Sequence, residues 1–139
     1  MASQFLSLVE PPKFLVCDDA RTEVGGKQIL IGVYPGNSVA VPHLPWQVVV
    51  RFWTEVLPIK VGDVDGRFRV VDMGGTSVFD DTIKLSIGAP NVVMPITLMA
   101  QFLTATANSF EAQLQIGDED WFRLGSMRVI HSEPTGIQA

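Results

Sequence analysis

Ser109-Phe110-Glu111-Ala112-Gln113-Leu114-Gln115-Ile116 alternates polar and apolar side chains at every step and closes on Gly117-Asp118. A period of two puts Phe110, Ala112, Leu114 and Ile116 on one face of an extended chain and Glu111, Gln113 and Gln115 on the other. That is a strand with one buried face, ended by residues that favour a turn. Beyond the turn, Trp121 to Ile130 reads as its hairpin partner. Upstream, Thr82 to Gly88 repeats the pattern, with Ile83, Leu85 and Ile87 facing in, and Ala89-Pro90-Asn91 ends it.

The same reading extends to the N-terminal side. Val92 to Leu103 places Ile96, Leu98, Ala100 and Phe102 on one face. Leu98 to Phe102 has fair helix propensity, but Pro95, Thr97 and Thr104 oppose a helix. Arg67 to Met73 is a strand broken by Gly74-Gly75, and residues 58–66 read as a loop. Gln47 to Leu57 has Val48, Val50, Phe52 and Val56 on its inner face. Lys27 to Tyr34 is apolar on both faces and so reads as a central strand. Gly25-Gly26 joins it to Lys13–Glu23 in a tight hairpin. Val39 and Val41 suggest a short edge strand stopped by Pro42 and Pro45. No helix-length amphipathic segment interrupts the series. The expected fold is all-β, an antiparallel sandwich of two sheets with about eight strands. Residues 13–132 form the sandwich, 1–12 an N-terminal arm and 133–139 a flexible tail.

Composition narrows the function. The chain has 139 residues, 47% of them hydrophobic and 18% charged, enough for one domain with its own core. With 15 acidic against 10 basic residues and a net charge of -5, a nucleic-acid partner is not expected. One cysteine and two histidines argue against disulfide frameworks and multi-cysteine zinc sites, and no cofactor is expected. No basic residue precedes Lys13, and no apolar run approaches bilayer length. The expectation is therefore a cytoplasmic protein with no membrane contact.

The N-terminal hairpin carries a resemblance. Phe14-Leu15-Val16-Cys17-Asp18-Asp19-Ala20-Arg21-Thr22-Glu23-Val24-Gly25-Gly26-Lys27-Gln28-Ile29-Leu30-Ile31-Gly32-Val33-Tyr34, followed by Leu44-Pro45 and Val48 to Trp53, resembles a family of small bacterial proteins catalogued as a domain of unknown function. The closing hairpin, Phe110 to Val129, is similar too, so the resemblance spans residues 13–130. It implies an immunoglobulin-like or C2-like sandwich and carries no activity with it. Where family members often place a Gly before the penultimate strand, this chain reads Thr106-Ala107-Asn108-Ser109.

Candidate chemistry is sparse. Cys17 lies beside Asp18 and Asp19, which disfavour a thiolate, and it reads as a core thiol. His43 and His131 have no nucleophile or metal motif around them. Asp19, Arg21 and Glu23 read as a solvated charge ladder. A non-enzymatic module is therefore expected, one that binds a protein partner or a second copy of itself. Its contact residues are Phe5, Leu6 and Leu8 on the apolar arm, hinged at Pro11-Pro12 and placed either along an edge strand of its own domain or on a partner's sheet, and Trp53 with Arg51 and Glu55 as a polar rim. An assembly role in a cellular or phage-derived particle fits the same features. The alternative is a calcium- or carbohydrate-binding module. Loops 24–26, 58–66, 89–92 and 117–120 would then share one end, and Asp63, Asp65, Asp118 and Asp120 would supply oxygen ligands for calcium.

Overall fold

The computed structural model describes residues 3–132, so the tail expected at 133–139 lies outside the described residues. Ten strands form two sheets packed face to face, and the described residues contain no α-helix. They are β1 (Leu6–Leu8), β2 (Phe14–Thr22), β3 (Gln28–Val33), β4 (Ser38–Val41), β5 (Trp46–Pro58), β6 (Gly62–Asp72), β7 (Ser77–Ile87), β8 (Met94–Thr104), β9 (Asn108–Ile116) and β10 (Phe122–His131). No helix of the described residues is long and apolar enough to cross a membrane.

Sheet A is built on β5. It pairs with β8 from Trp46 opposite Thr104 to Val56 opposite Met94, without a register shift. Along its other edge β2 and β1 lie end to end, with Phe14 opposite Thr54 and Leu8 opposite Val56. β3 then pairs with β2. Sheet B runs β4-β10-β9-β6-β7. Pairing is antiparallel except between β4 and β10, which run parallel, a departure from the expected all-antiparallel arrangement.

The core lies between the sheets. Alternating residues of β5, β8, β6 and β9 meet there, and Phe52 of sheet A touches Phe68 of sheet B edge-on at 5.7 Å between ring centroids. Phe102 and Phe110 meet across the same gap at 4.9 Å. Burying such rings stabilises by about 1.5–3 kcal/mol each. Phe14 reaches from β2 over β10 at Gly125, where a Cβ atom would lie 2.3 Å from the Phe14 ring. The β9–β10 register shifts between Arg123 and Gly125, so this glycine sits on an irregularity that lets a ring pack onto bare backbone.

Several expectations are corrected. The described residues hold ten strands rather than about eight, because the arm supplies β1 and the short edge strand expected at Val39 and Val41 forms, as β4. Residues 62–66 belong to a strand, not a loop: they pair with 83–87 of β7. Asp and Gly read there as turn formers, but β7 begins at Ser77 and extends the ladder. β3 is an edge strand, not a central one, and Ile29, Ile31 and Val33 remain exposed at 37, 43 and 43%. Its two apolar faces have another cause. The β2–β3 hairpin leaves β5 after Cys17 and bends, with Gly32 at φ +66° opposite Asp18. Trp53 lies opposite Leu15, seven residues from Thr22, the partner of Gln28. An extended strand would put roughly 23 Å between them, yet Gln28 accepts a hydrogen bond from the Trp53 indole at 3.2 Å. The hairpin therefore leans back over the outer face of β5, and half-buried Leu30 shares the face that Gln28 turns toward it.

Candidate functional site

The expected contact residues fall in three different settings. The arm docks on its own domain. Leu6 enters the core at 1% exposure, and the Phe5 carbonyl accepts from the Ile59 N–H at 2.8 Å. Lys60 lies 5.3 Å from the centroid of the Phe5 ring, and Leu8 packs half-buried against the core. The Ser3 hydroxyl and the Gln4 N–H both donate to the Glu119 carboxylate, at 2.6 and 2.9 Å. One of the acidic-turn carboxylates is thereby committed to holding the arm across the two sheets. In this arrangement Leu6 offers no surface to a partner.

Trp53 does point to the outer face, as its alternation with Phe52 requires, but the bent hairpin covers it to 8% exposure. Neither member of its expected polar rim is free: Arg51 pairs with Asp19 at 3.3 Å and Glu55 with Lys13 at 2.9 Å. The sequence shows which face Trp53 takes; the bend at Gly32 that covers it is a long-range event no local pattern encodes.

The acidic loops divide. Three of the four expected loops share one end: Asn91 N–H donates to the Pro58 carbonyl and Gly117 N–H to the Asp65 carbonyl. The 24–26 turn does not join them, because β2 starts at that end and runs away from it, antiparallel to β5. Among the described residues no group of three His, Cys, Asp or Glu side chains comes together as metal ligands would. Asp63 and Asp65 sit on β6 opposite Ser86 and Lys84, while Asp118 and Asp120 are exposed in the β9–β10 turn. The structure thus brings the loops together without bringing Asp63, Asp65, Asp118 and Asp120 into one site.

The possible reactive groups are equally separated. Cys17 is buried. Burial pushes its thiol pKa up, and the Asp18 and Asp19 charges push it further, so neutral pH keeps it protonated. His43 stands edge-on to Trp46 at 5.0 Å, and His131 Nε2 lies 3.1 Å from the Pro42 carbonyl oxygen. Asp19 is held below the usual carboxylate range, mainly by the hydrogen bond from Arg21. Tyr34 donates to Asp18 at 2.5 Å, and burial together with that carboxylate pushes its phenol up to about 12.

On the outer face of sheet B, polar groups pair off. Arg67 binds Asp80 at 2.7 Å, Arg123 binds Glu111 at 3.1 Å, and Arg69 donates to Gln113 while lying 3.9 Å above the Trp121 ring. Trp121 serves as the platform under Arg67 and Arg69.

What sequence reasoning missed is an apolar strip on the outer face of sheet A. Val49, Met99 and Leu103 are 53, 48 and 62% exposed. Val49 faces Gln101, so Met99 and Leu103 are its diagonal neighbours, within reach on one face. The signal was there in the sequence: once Ile96, Leu98 and Ala100 turn inward, Met99 and Leu103 must turn outward, beside outward Val49. Compared with known protein families and with curated proteins, the chain matches none.

Proposed function

We propose that this protein is a non-catalytic interaction module that associates with itself. The observation that carries the reading is the Val49–Met99–Leu103 strip, apolar residues exposed as diagonal neighbours around Gln101 on a sheet face whose nearby charges are paired internally. Contiguous apolar surface marks contact sites more often than scattered single residues do. The non-catalytic half is supported by the buried, protonated Cys17 and by histidines that face Trp46 and the Pro42 carbonyl rather than a nucleophile. The sandwich is of a kind an immunoglobulin-like or C2-like assembly would use, and a reducing, cytoplasmic setting suits its lone buried thiol. Particle assembly, cellular or phage-derived, is one role such a module fills. No specific observation favours calcium or a sugar as ligand.

Sedimentation equilibrium of the full chain tests the reading. A mass that rises with concentration toward twice 15.2 kDa supports it. A strict monomer at about 1 mM overturns it, since Kd weaker than this corresponds to less than about 4 kcal/mol.

A further inference from the structure

We infer that the free edge of β8 is the seam at which two copies pair, antiparallel, so that sheet A continues from one molecule into the other. This rests on the self-association reading and names its surface. Sheets that end in solvent expose unpaired N–H and C=O groups, and natural proteins blunt such edges with short strands, charge, proline, bulges or bends. Each other edge carries such a device. β1 and β4 are three and four residues long, and Pro42 follows β4 directly. β3 is six residues long, carries Gly32 at positive φ where its pairing with β2 skips Asp18, and bends over the outer face of β5. β7 presents Asp80, Asp81 and Lys84 in exposed positions, and its ladder shifts register between Val70 and Val71.

β8 has only Pro95, near its start. It runs eleven residues, and its pairing with β5 never slips. No Asp, Glu, Lys or Arg lies anywhere between Lys84 and Glu111. Its second edge makes no backbone hydrogen bond among the described residues. Beside residues 94–98 an open groove of about 440 Å³ separates it from Ile83–Ser86 of β7.

The occupant follows from charge. Each copy carries a net charge of -5, so two copies repel wherever their carboxylates approach. A basic partner would be drawn to the acid-bearing loops instead. An uncharged strand is where like-charged molecules meet at least cost, and a strand paired antiparallel with its own copy closes after two subunits. A twofold axis normal to the sheet, near Met99, keeps inward residues inward. Ile96, Leu98, Ala100 and Phe102 then face the same set from the second copy, and the two exposed strips join on one outer surface. Such a seam is smaller than the ~1,600 Å² of a standard interface, so the dimer is expected to form at roughly micromolar to tens of micromolar concentration.

The experiment compares the full-length wild type with Met99→Lys, Leu103→Lys and, on the β3 edge, Ile31→Lys. All are at exposed positions, and circular dichroism verifies folding. Sedimentation equilibrium is expected to show at least about a tenfold weaker dimer for Met99→Lys, where two lysines would face each other, and no change for Ile31→Lys. Amide exchange on the wild type gives a readout without mutation: protection at residues 96–102 is expected to grow with protein concentration. A wild-type dimer unmoved by Met99→Lys and Leu103→Lys, or one broken by Ile31→Lys, overturns this seam while leaving self-association standing. A wild type that stays monomeric overturns both.

Discussion

Tyr34 is the only tyrosine in the chain, so its ionisation can be read alone by ultraviolet absorbance. Burial and the Asp18 carboxylate favour the neutral phenol and push its pKa up to about 12. The unfolded value is about 10. The group is therefore neutral in both states below pH 10 and adds its full share of stability there. That share is lost as pH rises from 10 through the folded value. The titration midpoint is expected near 12, and Asp18→Asn is expected to lower it toward 10 while burial keeps it above. An unchanged midpoint in that variant would mean the carboxylate has no influence on the phenol. Gly125 gives a second prediction at this scale. A Cβ there would meet not the tip of a flexible chain but the Phe14 ring and Phe14 Cβ, at 2.3 and 2.9 Å. Gly125→Ala is expected to cost about 1–3 kcal/mol, read as a lowered urea midpoint at constant slope. Neither contact is legible from sequence, because each joins residues from different elements; alternation predicts the face of Phe14 but not what lies beneath it.

At the scale of elements, clear alternation is legible, as is short β4 from Val39 and Val41, whereas the arm strand and the first halves of β6 and β7 are not. Strands β9 and β10 appear in the structure nearly at their expected limits because alternation over eight or more residues has one interpretation. The arm carries too little pattern for that: Leu6-Ser7-Leu8 becomes a strand only because β5 extends to Pro58 and leaves an edge beyond Phe14 for it to join. The stretch holding Asp63 and Asp65 has the Gly and Asp content of a loop, and its partner β7 overrides that local preference. The arm should accordingly behave as part of the fold. Leu6→Ala removes a fully buried side chain and is expected to cost about 2–4 kcal/mol. Glu119→Ala releases only the Ser3 and Gln4 bonds and is expected to cost about 0.5–1.5 kcal/mol. Chemical denaturation checks the order. An arm whose truncation leaves stability unchanged would be a loose tail that the core does not need.

For the molecule as a whole, charge and ligand predictions separate the readings. A cation bound only by the folded state must raise the melting temperature. Because the carboxylates of the loop end do not converge, millimolar calcium is expected to leave it unchanged, and a rise of several degrees would restore a calcium site there. Salt interrogates the seam. The bodies of two copies repel through their net charge of -5 each, while the edges that would touch carry no charge at all. Added salt therefore screens the repulsion and has no attraction to screen. The Debye length falls from about 10 Å at 0.1 M to 3 Å at 1 M, so self-association is expected to strengthen over that range. Lowering the pH toward the isoelectric point of about 4.8 acts in the same direction, by neutralising the bodies. An interface built on ion pairs, such as one using Arg21 or Lys27 of the hairpin against a neighbour's carboxylates, would weaken with salt instead. The sign of that dependence, read from sedimentation at several ionic strengths, thus distinguishes an uncharged seam from a charged one without altering a residue.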